Sequence, residues 1–342
     1  MSEEVLIWGA GAIGGVLGAY MARAGVPVRM VDIVADHARA CSTTGLHIAG
    51  PVEEFTQVVP CVTPDAVEGT YRRIILAVKA QATEAALDDL LPHLASDGYV
   101  LSAQNGLNEH TIAARAGADR TMGAFVNFGA DWTAPGEILL GNRGAVVVGE
   151  IDGASRERTR AMHSLLKHYE PDAVLTEDIF AYLWGKMGYG VMLFATALTH
   201  DSMTENFADP ARGPALIALA REVMATAHAE GVTPRGFNGY DPAAFLPGAT
   251  EADARASLAA LAEFNSKTAK THTGIYRDLA VRKRRTEVDP QVGKVVEIAR
   301  THGIPTPLTA RLVDLIHDIE DGKRPQSQET FHELTRLLET AP

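Results

Sequence analysis

Gly9-Ala10-Gly11-Ala12-Ile13-Gly14 follows a short apolar run, Val5 to Trp8, and leads into a helical pattern that begins near Ala12. Three glycines at this spacing between a strand and a helix meet a specific demand. The first allows a tight turn, the second lets backbone approach a diphosphate, and the third permits close packing of helix on strand. Ala12 and Ile13 complete the cradle, whose N–H groups and helix dipole favour an anion. Asp32 ends the next strand, 18 residues after Gly14. A carboxylate there would accept hydrogen bonds from a ribose and repel a 2′-phosphate. The plainer alternative is a glycine-rich turn with Asp32 as a helix cap. Motif, strand, helix and acid together point to dinucleotide binding, with NAD(H) favoured over NADP(H). Arg39, close by, could bend toward a phosphate instead.

Other chemistry is thinly represented. The 12 histidines show no HExxH or other short ligand spacing, so no catalytic metal is expected. Cys41 and Cys61 make neither a ligand cluster nor a disulfide framework, and a reduced, cytoplasmic setting is the default. Arg282-Lys283-Arg284-Arg285 is the densest basic run and reads as a solvated helix face, or as an attractor for an anionic substrate. With 31 basic against 43 acidic residues, the formal charge of −12 would repel a nucleic acid. Val5 to Ala22 carries no charge, but Glu3 and Glu4 precede it and five glycines interrupt it. Neither a secretory signal nor a spanning helix is expected there, and no membrane partner.

A chain of 342 residues suggests two domains. The first half alternates strand and helix: strands at Val5–Trp8, Val28–Val31, Ile74–Val78 and Tyr99–Ser102, with further strand-like stretches at Gly123–Phe128 and Gly144–Val148. Short, continuous apolar strands between helices indicate a parallel sheet covered on both faces. From about Glu177 strands almost disappear and Ala/Leu-rich helical segments take over, broken at Pro210, Gly231 to Gly248, Pro290 and Gly303 to Pro307. The polar tail after Pro325 ends in a helix through Leu338. The expectation is an α/β protein in which a Rossmann doubly wound sheet over 1–176 precedes an all-helical domain over 177–342.

Five motifs in order resemble the ketopantoate reductase (2-dehydropantoate 2-reductase) family: GAGAIGG at Gly9–Gly15, LAVKAQ at Leu76–Gln81, AQNGL at Ala103–Leu107, LWGKM at Leu183–Met187 and RRTEVD at Arg284–Asp289. The resemblance implies a Rossmann domain followed by a helical substrate and dimerisation domain of the 6-phosphogluconate-dehydrogenase C-terminal type. It also implies hydride transfer between nicotinamide and a small hydroxy or oxo acid. Lys186 falls on the family's catalytic lysine, which donates a proton to the carbonyl oxygen. Its otherwise uncharged surroundings, Ala181 to Thr199, argue against simple exposure. Glu287 falls on the glutamate that places the substrate, with an ion pair to the Arg282–Arg285 run as the plain reading. Asn105 falls beside nicotinamide and substrate, although Asn-Gly is also a good turn pair. Lys79 matches a lysine near the cofactor, and a surface reading is nearly as good.

The match fails around the lysine. The residues four and eight further on lie on its helix face and in the family are typically asparagines that contact substrate; here they are Gly190 and Phe194, which are expected to border the substrate in their place. The family's substrate serine is also missing from the run Lys270 to Asp278. Thr196, His200, His272, Thr273 and Arg277 are candidates to fill the polar gaps, of which His272, Thr273 and Arg277 carry the substrate-binding expectation. Gly185, Gly188 and Gly190 crowd one helix, which implies helix packing or room for a ligand. The leading expectation is a cytoplasmic, homodimeric NAD-dependent dehydrogenase working in the oxidative direction. An NADH-using 2-dehydropantoate 2-reductase is the alternative. The rival from another class is a non-catalytic NAD(H)-responsive regulator, against which retention of Lys186, Glu287 and Asn105 argues.

Overall fold

The computed structural model describes residues 4–268 and 271–340, so Lys270 lies outside the described residues. The chain divides into two compact units, Met1–Ile179 and Phe180–Pro342. Strands of the first unit are β1 (Val5–Trp8), β2 (Val28–Val31), β3 (Leu46–Ala49), β4 (Phe55–Gln57), β5 (Cys61–Val62), β6 (Tyr71–Leu76), β7 (Leu94–Ser102), β8 (Thr121–Val126), β9 (Gly129–Ala134), β10 (Glu137–Asn142), β11 (Val146–Glu150) and β12 (Val174–Leu175). Its helices are α1 (Ala12–Arg23), α2 (Ala35–Thr43), α3 (Thr83–Leu90), α4 (Asn108–Ala116) and α5 (Glu157–Leu166).

The main sheet runs β12-β11-β8-β7-β6-β1-β2-β5. The six strands from β5 to β8 are all parallel, with β5-β2-β1-β6-β7-β8 reproducing the Rossmann order. β11 pairs antiparallel to β8 and extends the sheet. β1 shows why its strands read as unbroken apolar runs. Val5 and Ile7 enter one buried cluster while Leu6 and Trp8 enter another, so both faces are covered.

A second sheet, β4-β3-β10-β9, was not foreseen. β3 and β4 form a hairpin, β9 and β10 form another, and the two join through a parallel β3–β10 pairing. No strand of this sheet is a continuous apolar run: β3 and β10 bury residues only at alternate positions, β4 and β9 bury none, and β10 joins a partner about 90 residues earlier in the chain. Local patterns therefore carried little trace of it. The sheet packs on α1: Ile138 of β10 and Leu46 of β3 fill the space where Gly15 lacks a side chain.

The second unit is helical as expected: α6 (Ile179–Thr196, whose first residue falls in the first unit), α7 (Met203–Ala208), α8 (Gly213–Ala229), α9 (Glu251–Ser266), α10 (Gly274–Ala280), α11 (Lys294–Thr301), α12 (Pro307–Glu320) and α13 (Gln328–Thr340). Pro290 lies within a π-helical turn, Asp289–Gly293, that runs straight into α11. Polar clamps fix the ends. Glu222 of α8, its carboxyl pushed up by burial, caps α12 through the N–H groups of Leu308 and Thr309. Buried Arg212 holds Asp201, Asp209 and Gln328. Among the described residues, no helix is long and apolar enough to cross a membrane.

Candidate active site

In the first unit the expected cofactor residues gather at the carboxyl ends of the parallel strands. Register aligns Trp8 with Val31 and with Leu76, and Leu76 with Ser102. The loops after β1, β2, β6 and β7 therefore leave the sheet side by side and carry Gly9–Gly14, Asp32, Lys79 and Asn105. The strand order reverses between β1 and β6, which is where such sheets bind their ligands.

Gly9 takes φ of 103°, and a Cβ there would stand 2.8 Å from the amide nitrogen of Val78, just past β6. A side chain at Gly14 would run into the Gly9 carbonyl, Ala77 and Ile7. Gly11, by contrast, is the N-cap of α1, with nothing within 4 Å of where its Cβ would be. The first turn of α1, including Ala12 and Ile13, holds no acidic side chain. An open, uncharged helix start with this cradle fits the diphosphate of a dinucleotide.

Asp32 accepts from the N–H of Ala10 (3.1 Å) on one oxygen and of Val34 (2.9 Å) on the other. The carboxylate is thus fixed at the loop mouth rather than capping α2, whose N-cap is Val34. Arg39 ion-pairs with Asp36 at 2.8 Å on the solvent side of α2. Beyond Asp32, Ile33 is 83% exposed and lines an open groove of mixed character, with Pro64 and Val67 beside the acids Asp65, Asp88 and Asp89.

Asn105 is exposed on the turn after β7, and Lys79 is exposed after β6. Two buried amides that sequence reasoning did not single out hold these segments together. Gln104 Nε2 donates to the Val78 carbonyl (2.9 Å) and to the Thr83 hydroxyl (2.8 Å). Asn108 Nδ2 donates to the Asn105 carbonyl (2.8 Å). Glu109, next in α4, is fully buried with neither carboxyl oxygen hydrogen-bonded, and desolvation pushes its carboxyl up to about 7, opposed in part by the nearby polar groups of its own backbone and Ser102.

In the second unit, Lys186 lies on α6, whose middle is buried on nearly every side. One half-exposed stripe remains: Tyr182, Lys186, Gly190 and Leu193. Phe194 was expected on this stripe but is only 1% exposed. Eight residues along a helix leave a rotation of about 80°, so Phe194 turns into the core and Leu193 takes its place.

The three glycines of α6 divide. A side chain at Gly185 would strike the Arg235 carbonyl, and one at Gly188 would strike the Tyr240 hydroxyl and Met224. These two serve packing. Gly190 has nothing within 4 Å of its missing Cβ; it leaves open space one turn beyond Lys186.

The remaining candidates are partly engaged. Thr273 is buried and caps α10 by accepting from the N–H of Tyr276 (2.9 Å). His272 stacks on Tyr276 (ring centroids 4.3 Å apart), with its ring nitrogens against Thr271 and the His200 carbonyl. His200 is exposed, with Nδ1 3.2 Å from the Tyr276 hydroxyl, and Thr196 donates back to the Leu193 carbonyl. Arg277 is half-buried on α10. The basic run 282–285 is not a helix face: α10 ends at Ala280, and Lys283 adopts φ of 50°. Arg282 and Arg284 pair with Asp278, and Arg285 pairs with Glu320 and Asp321. Glu287 is half-buried, directly after Thr286, whose N–H and hydroxyl both donate to Glu320 (2.7 Å each). Glu320 thereby anchors the segment bearing Glu287.

Comparison with known proteins covers both units. Residues 5–153 match the model described as ketopantoate reductase PanE/ApbA, and residues 178–320 match its C-terminal counterpart. The 2-dehydropantoate 2-reductase of Archaeoglobus fulgidus is 26% identical over 320 residues, covering 94% of this chain and 99% of that protein. A PanE/ApbA family ketopantoate reductase from Ralstonia eutropha superposes with a TM-score of 0.77 at 25% identity, covering 94% and 99% of the two chains. A D-mandelate dehydrogenase solved with NADH and anilino(oxo)acetate gives a TM-score of 0.79 at 21% identity, covering 93% and 98%.

Proposed function

Because this chain belongs to the ketopantoate reductase family, we propose that it is an NAD(H)-preferring oxidoreductase interconverting a small 2-hydroxy acid and its 2-oxo acid. A bound nicotinamide would supply or accept the hydride. The residues of the chain do the rest. Gly9 to Gly14 cradle the diphosphate, Asp32 holds the ribose hydroxyls, and Asn105 and Lys79 border the nicotinamide end. Lys186 gives a proton to the carbonyl oxygen during reduction and takes it back from the alcohol during oxidation, while Glu287 places the substrate. The first unit thus serves as the cofactor domain and the second as the substrate domain, in a cytoplasmic homodimer.

The observation that carries the cofactor preference is Asp32, pinned at the loop mouth by two backbone N–H groups. A carboxylate so placed repels a 2′-phosphate, and Arg39 is engaged by Asp36. The test follows nicotinamide absorbance with NADH and NADPH in parallel, against ketopantoate and against an aryl 2-oxo acid. Preference for NADH is expected, and Asp32→Ala should narrow it by about tenfold. Faster use of NADPH by the parent would overturn the role of Asp32.

Gly190 supports a substrate other than ketopantoate, since a site that hydrogen-bonds a polar group discriminates strongly, and this chain has no amide at that point. The second reading, an NADH-using 2-dehydropantoate 2-reductase, is favoured by the curated relatives. Efficient turnover of ketopantoate would decide for it. NADH binding without turnover of any hydroxy or oxo acid would decide for a regulator.

A further inference from the structure

The glycine loop is held from a side that its own motif does not explain. Ala10, between Gly9 and Gly11, gives its N–H to Asp32, and its carbonyl lies 2.8 Å from Nε2 of His37. His37 stands in the first turn of α2 and is completely buried. Its other nitrogen, Nδ1, receives the backbone N–H of Gly136 (2.9 Å) and the indole N–H of Trp132 (3.2 Å). Both groups are donors with no acceptor capacity, so Nδ1 must carry the lone pair and Nε2 the hydrogen. The imidazole therefore donates to Ala10. Trp132 meets the ring nearly edge-on at 5.9 Å, and Cys41 Sγ lies 3.7 Å from Nε2.

This bond has a directional consequence. In a trans peptide the C=O and N–H point to opposite sides of the chain, and no cis bond occurs among the described residues. Drawing the Ala10 carbonyl to His37 therefore turns the Gly11 N–H to the opposite side of that peptide, away from the imidazole. That is the donor a diphosphate would meet first at the start of α1.

We propose that His37 is a positioning residue for the dinucleotide: a neutral imidazole that transmits the place of the β9–β10 hairpin to the Ala10–Gly11 peptide. The proposal rests on the reading of the glycine loop as the cofactor cradle. It assigns a purpose to the second sheet, which otherwise lies outside the nucleotide-binding pattern.

The test compares two substitutions by titration with NADH. His37→Gln can place an amide N–H near the position of Nε2, whereas His37→Asn is too short to reach Ala10. His37→Asn should weaken NADH binding roughly tenfold, as for loss of one buried hydrogen bond, with turnover at saturating NADH unchanged. His37→Gln should restore affinity to within about twofold of the parent. Equal affinities in both variants and the parent would overturn the proposal, as would a fall in turnover with binding unchanged. If His37→Asn fails to fold, Trp132→Phe and nitrogen NMR of the parent imidazole carry the test. A roughly threefold loss of affinity in Trp132→Phe together with an Nε2–H tautomer in the parent supports the proposal; an Nδ1–H tautomer, or no loss, refutes it. A parent that binds neither NADH nor NADPH removes the cradle reading and the proposal together. A binding parent with an indifferent His37→Asn removes only the proposal.

Discussion

At the scale of single residues, the proposed chemistry rests on a lysine that the fold keeps half out of water. Lys186 occupies the one half-exposed stripe of α6, flanked by buried Leu183, Trp184, Met187 and Tyr189. An ammonium in that setting can polarise a carbonyl and surrender a proton. Lys186→Ala should lower turnover by about two to four orders of magnitude while leaving the NADH dissociation constant within about twofold; a variant that keeps turnover refutes the role. Glu109 makes a different prediction. Its folded-state pKa of about 7 lies above its ordinary value of 4.5, so between those pH values the folded chain keeps a proton that the unfolded chain releases. Stability therefore falls as pH rises from about 4.5 to 7, by about 3 kcal/mol in total. Glu109→Gln should flatten that slope, and the gap in melting temperature between variant and parent should widen from pH 5 to pH 8. A constant gap would refute the assignment. The placing of the glycine loop and Asp32 at the ends of β1 and β2 was legible because their types and spacing are tied to local elements, whereas Lys186 and Asn105 were singled out by resemblance. Glu109, His37 and Gln104 were not legible, because their meaning comes from burial and from neighbours 14 to 99 residues away.

At the scale of elements, α6 carries the clearest contrast. Its glycines look alike in sequence, and each lowers helix propensity. The neighbours separate them: the Arg235 carbonyl fills the space beside Gly185, and nothing fills the space beside Gly190. Gly185→Ala should therefore destabilise by about 1–3 kcal/mol through overpacking, whereas Gly190→Ala should be neutral or stabilise by up to about 1 kcal/mol. Thermal denaturation of the two variants checks this directly, and equal effects would refute the packing account. Helix periodicity explains the error at Phe194 in the same terms. A spacing of four keeps a residue on the stripe, whereas a spacing of eight drifts off it.

At the scale of the whole molecule, the Rossmann order and the all-helical second unit were legible because both follow from repeated local patterns, apolar strands of four to six residues and long Ala/Leu segments. The small sheet was not. Its strands are not continuous apolar runs, and β10 pairs with β3 across the intervening β4 to β9. Breaks at Pro and Gly located the helix ends of the second unit well: Pro290 stands in the first turn of the stretch that runs into α11, where its missing N–H would be unpaired in any case.

That distant pairing also sets a schedule for the newborn chain. The glycine loop and His37 leave the ribosome before Gly136, which bonds His37 and lies 99 residues beyond that histidine. At a synthesis rate of about 5–20 residues per second, the gap lasts roughly 5–20 s. Throughout that interval β3 lacks its β10 neighbour, and the glycine face of α1 lacks its cover. A ribosome stalled just before Trp132 should therefore display a nascent chain that a protease cuts near the glycine loop, and one stalled well past Asn142 should display a chain that resists. Equal cutting in both would show that the loop sets without its distant partner.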